Sequence, residues 1–116
     1  MSEESTKVDA YYALKPAKYG LLKEFNISQC VDSGEWTGLR LTVVLYSPRE
    51  TDKRLLRLDF SGVKTLKLGE IYLLLWYVVD IRSISEHQLE DLNYSVAEDE
   101  HSLFSFVCAD FSVTVE

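Results

Sequence analysis

Few side chains in this chain can ligate a metal or move a proton, and their spacing decides what chemistry they support. Two histidines, His87 and His101, and two cysteines, Cys30 and Cys108, stand singly, so no Cys-His cluster with the spacing of a zinc site exists. Glu98-Asp99-Glu100 sets three carboxylates side by side, a grouping that can hold calcium or magnesium, but the Asp-rich calcium loop built around a glycine is missing. If residues 86–92 are helical, Glu86 and Glu90 lie one turn apart, as do His87 and Asp91, which would suit a weak cation site or an acid-base pair. A solvated turn and a solvated helix face account for the same residues and are the preferred readings. Gly-x-Ser-x-Gly, the Walker loop and Gly-x-Gly-x-x-Gly are all absent. The expectation is a protein with no catalytic residue, metal or cofactor, and not an enzyme.

Charge is the sharper feature. From Ser83 to Glu116 the chain holds eight acidic residues and no Lys or Arg, so this stretch sums to −8 within a net charge of −7. Such asymmetry steers partners at long range without specifying chemistry. Mildly acidic charge also serves solubility, and that plainer reading stays open. The alternative is a partner-binding face made from Glu86, Glu90, Asp91, Tyr94, Glu98, Asp99 and Glu100, with Tyr94 as an aromatic anchor and one basic protein as partner. Tyr11 to Lys23 carries three lysines, Lys15, Lys18 and Lys23, among Tyr11, Tyr12 and Tyr19. A net charge of −7 repels nucleic acid, so this segment reads as amphipathic packing with its lysines in water.

The elements that must position these groups are mostly strands. Phe25, Ile27 and Val31 alternate onto one face, Asp32-Ser33-Gly34-Glu35 reads as a tight turn, and Leu39, Leu41, Val43 and Leu45 form the inward set of the return strand. Arg40 and Thr42 face the other way. Arg54 to Phe60 follows, with Leu56, Leu58 and Phe60 inward and Arg57 and Asp59 outward, and Ser61-Gly62 is expected to break it. Ile71 to Val79 lacks a useful period and reads as a strand buried on both sides, with helix as the open alternative, and Ser85-Glu86-His87-Gln88 has the form of a capping box opening a short helix to Leu92. Strands are expected over Asn93 to Ala97 and Ser102 to Cys108, with Glu98 to His101 as the turn and a bend at Ala109-Asp110 before Phe111 to Val115. Val8 to Lys15 fits a helical turn or a strand equally, ending before Pro16.

At 116 residues with 47% apolar content, one domain is expected over 1–116, with residues 1–7 disordered. The fold class is mainly β, an antiparallel sandwich or partly open barrel with one or two short helices; the alternative is α+β, an antiparallel sheet with helices on one face. The longest apolar run, Ile71 to Val79, is far short of the roughly twenty residues of a membrane helix. A polar, acidic start without a signal-like apolar stretch predicts a cytoplasmic location with reduced, inert cysteines.

Leu58-Asp59-Phe60-Ser61-Gly62-Val63, Asn93-Tyr94-Ser95-Val96 and Leu103-Phe104-Ser105-Phe106-Val107-Cys108-Ala109-Asp110-Phe111 resemble the closing strands of small bacterial β-rich proteins of uncharacterised function. Some of those are predicted immunity proteins of polymorphic toxin systems. The resemblance covers the second half of the chain and implies a cytoplasmic inhibitor of one cognate toxin, with no catalytic residue. The resulting expectation is a non-enzymatic protein-binding domain. Alternative readings are a homodimeric module self-assembling through a strand edge, and a ligand-binding β-barrel with Trp36 or Trp76 at its cavity.

Overall fold

The computed structural model describes residues 3–32, 35–47, 54–69, 79–84, 93–98 and 104–116. A helix, α1 (Glu3–Ala13), and a single 3-10 turn (Pro16–Lys18) precede seven strands. These are β1 (Leu21–Asp32), β2 (Glu35–Tyr46), β3 (Leu55–Leu68), β4 (Val79–Ser83), β5 (Tyr94–Glu98), β6 (Phe104–Cys108) and β7 (Asp110–Val115). All their pairings are antiparallel, in the order β1-β2-β3-β6-β5-β4, with β7 also on β3. The mainly β expectation holds, with one short α-helix among the described residues.

The β1–β2 hairpin follows from alternation and turn together, and its register closes Asp32 against Glu35 across the turn residues read from the sequence. β3 departs from expectation. Ser61-Gly62 does not end the strand; it redirects it. Up to Ser61, β3 lies between β2 and β7, and from Lys64 it pairs with β6. Gly62 takes φ +62°, a left-handed conformation that a residue with a Cβ adopts only under strain. A Cβ there would also lie 2.8 Å from the Ala109 Cβ. Ala109 sits at the bend between β6 and β7 and donates its N–H to the Ser61 carbonyl at 3.1 Å. Two crossings, one in β3 and one between β6 and β7, therefore meet at the same corner and fold the sheet onto itself.

The inner faces of the two halves make the core. Leu41, Val43 and Leu45 of β2, and Leu56, Leu58 and Phe60 of β3, are at most 1% exposed. Facing them, Phe104 and Phe106 of β6 bring their rings to 5.4 Å from Phe25 and 4.9 Å from Phe60 respectively. Burial in β5 and β6 alternates strictly, as a half-buried strand requires. That alternation corrects one expectation. β5 runs one residue beyond Ala97, so Glu98 joins Tyr94 and Val96 on the inward face and is 1% exposed instead of standing in a turn.

The helix seals edges. Tyr11, 1% exposed, donates its hydroxyl to the Val79 carbonyl at 2.7 Å and sets its ring edge-on to Phe111. Tyr12 accepts the Ile81 N–H at 3.0 Å and donates to Asp80. Both hydroxyls thus occupy backbone groups of β4 on the side away from β5, where an open strand edge would otherwise invite another chain. Lys7 donates to the Phe111 carbonyl at 3.1 Å and pairs with Asp110, tying the helix to β7 as well. The helix runs Glu3–Ala13, so the undecided Val8 to Lys15 segment is helical as far as Ala13, and these anchors hold it on the sheet from Lys7 onward. Of the segment Ile71 to Val79 only Val79, the first residue of β4, is described, and the helix expected over 86–92 lies outside the described residues.

Candidate partner-binding surface

The residues expected to form an acidic face fall into two groups. Tyr94 is 2% exposed, packed edge-on against Phe111 with ring centroids 4.7 Å apart, and so belongs to the core. Glu98 is buried and is not free, so it presents no carboxylate at the rim. Glu86, Glu90, Asp91, Asp99 and Glu100 lie outside the described residues, as do His87 and His101. Among the described residues no cluster of His, Cys, Asp or Glu could hold a metal ion. Cys108 is a free, buried thiol whose pKa is pushed up to about 12, first by burial and then by the charge of Asp110. A thiol so protonated is a poor nucleophile.

What the fold does assemble is a polar sheet face. β1, β2, β3 and β7 lie side by side, and their outward positions align in rows across the strands. Asn26, Thr42, Asp59 and Ser112 form one row; Ser28, Arg40, Ser61 and Asp110 form the next. The Thr42 hydroxyl, in a residue only 8% exposed, donates to Asp59 Oδ1 at 2.8 Å. Arg57 Nε donates to Asp59 Oδ2 at 3.1 Å, and this bond, followed by the Asp59 charge, raises the Arg57 pKa. Asp110 pairs with Lys7 and accepts the Phe111 N–H at 2.9 Å. Arg40 is exposed at the middle of the face. A shallow depression of about 400 Å³ opens there, lined by Lys7, Arg40, Arg57, Asp59, Ser61 and Asp110 among others.

Part of this face was readable, since alternation alone assigns Arg40, Thr42, Arg57 and Asp59 outward. Their convergence was not. It needs the cross-strand register, and the corner at Gly62 that lets β7 enter beside β3 carries no sequence signature beyond a glycine near a strand. Lys7 was missed altogether because it arrives from a segment expected to be disordered.

Among the described residues, polar groups of this antiparallel β sheet gather in an open depression on one face, in a protein of the small β-rich class. The chain belongs to the immunity protein family PIM8, whose family model matches residues 3–114. That span runs from the first residue of α1 into β7, so it takes in the amino-terminal helix that the resemblance read from the sequence left out. No curated protein and no solved structure matches the chain. No described helix is long and apolar enough to cross a membrane.

Proposed function

We propose that this immunity protein neutralises one cognate toxin by binding it, without chemistry of its own, and that the partner is basic and met in the cytoplasm. The observation that carries this reading is the concentration of eight acidic residues and no basic one between Ser83 and Glu116, in a chain whose family is one of immunity proteins. Carboxylates gathered in one region accelerate encounter with a basic protein and imitate the phosphates a nuclease surface accepts. Glu86, Glu90, Asp91, Asp99 and Glu100 are the groups assigned to this role. Glu98 and Tyr94 are withdrawn from it, because a side chain buried in the core offers no contact without unfolding.

The test is affinity capture from the native host at low and high salt. One basic partner is expected, retained at low salt, released at high salt, and lost when Asp99 and Glu100 are together replaced by Lys. Equal capture by that double variant would sink the electrostatic form of the proposal. Capture of an acidic partner insensitive to salt would do the same.

A further inference from the structure

We propose that Arg40 is an anchor of the partner interface, receiving a carboxylate from the toxin in the depression on the outer face of β2, β3 and β7. This rests on the reading that the protein binds a toxin, and it adds a second contact of opposite sign to the acidic one. The carboxylates of the depression are already engaged within the chain. Asp59 accepts from Thr42 and Arg57 through separate oxygens, and Asp110 is held by Lys7 and the Phe111 N–H. Arg40 alone of the three cations there has no carboxylate of its own chain among the described residues. Its neighbours in register are Ser28 on β1 and Ser61 on β3, small hydroxyl residues that leave the guanidinium room and add hydrogen-bonding capacity.

The chemistry of the guest follows from this arrangement. A guanidinium offers a planar fork of donors that matches a carboxylate in a bidentate pair. Lys7, Arg40 and Arg57 meet two satisfied carboxylates in the depression, with Glu24 and Glu116 near enough to act on Arg57, so the positive charge left for a guest there is that of Arg40. A polyanion would be repelled by the whole molecule, whereas a single Asp or Glu on an otherwise basic protein would not. Arg40 also stands on a strand in the middle of a four-stranded sheet, so its backbone is fixed before the partner arrives, the setting in which an interface arginine contributes most. Contacts of both signs would fix the orientation of the partner as well as its affinity.

The experiment uses the full-length chain and the purified toxin recovered with it, and measures the dissociation constant for the unaltered protein and for Arg40→Ala, Arg40→Lys and Arg40→Glu. Arg40→Ala is expected to weaken binding roughly 30-fold. Arg40→Lys should recover part of that loss, and Arg40→Glu should lose the most while the thermal midpoint stays unchanged. Replacing the contacting Asp or Glu of the toxin by Arg should restore binding to Arg40→Glu. Affinities within twofold of that of the unaltered protein in all three variants would overturn the site. So would hydrogen-exchange protection by the toxin that leaves β2, β3 and β7 untouched. Failure of the unaltered protein to bind or inhibit that toxin would overturn the functional reading itself, a distinct result.

Discussion

Tyr11 shows how a single hydroxyl can belong to two structures at once. Its ring fills the core beside Phe111, and its O–H serves the Val79 carbonyl on the far side of β4. The buried Val79 carbonyl accepts from this O–H, so removing it withdraws that donor. Tyr11→Phe is therefore expected to lower stability by about 1–2 kcal/mol in denaturant unfolding, although the ring and its packing are unchanged. Burial raises the pKa of Tyr11, and Tyr12 is pushed up to about 12, by burial first and then by its bond to Asp80. Cys108 rises from 9.0 to about 12. A neutral phenol or thiol whose ionisation is deferred by the fold contributes its full stability below the unfolded pKa and loses it as pH climbs towards the folded value. The thermal midpoint should thus begin to fall above pH 9, where the unfolded thiol ionises, and fall further above 10 as the phenols join. The slope should be shallower in Cys108→Ala and in Tyr12→Phe. Identical slopes in all three proteins would show that these groups do not set the alkaline limit.

At the scale of elements, the decisive feature is a corner and not a strand. Leu56, Leu58 and Phe60 were placed inward by their period of two, and each is fully buried. The strand's continuation past Ser61 was not legible, because a glycine after a serine is as good a terminator as it is a hinge. What makes it a hinge is Ala109, which approaches so closely that only a hydrogen fits between. Gly62→Ala is expected to destabilise by about 2–4 kcal/mol, combining left-handed backbone strain with the contact at Ala109. Adding Ala109→Gly should return the part due to contact and leave the part due to φ, giving a coupling between the two positions in a double-mutant cycle. A Gly62→Ala protein as stable as the original would mean that the corner adjusts freely. Glu98 teaches the same lesson at the end of β5, where one residue of extra strand exchanges a rim carboxylate for a buried one.

Across the whole molecule, charge and shape divide the work. Of the eight acidic residues between Ser83 and Glu116, Glu98 lies in β5 and Asp110 in β7. If this acidic stretch steers a basic toxin, the association rate constant should fall steeply as ionic strength rises from ~0.01 to ~0.15 M, because the screening length shrinks from ~30 to ~8 Å. The dissociation rate should change much less, since it reports on the contacts made after docking. Stopped-flow mixing at several salt concentrations separates the two, and a salt-independent association rate would remove the acidic stretch from the encounter. The sequence by itself determined the mainly β class, the inward sets of β2 and β3, the hairpin at Asp32-Glu35 and the regional charge, because each is written in residues close together in the chain. Only the tertiary structure decided that α1 seals two strand edges, that β3 serves both halves of the sheet, that Glu98 is buried, and that Lys7, Arg40, Arg57, Asp59 and Asp110 share one face. Those outcomes depend on register and on contacts between residues as far apart as Lys7 and Asp110, and a local pattern holds no record of such distances.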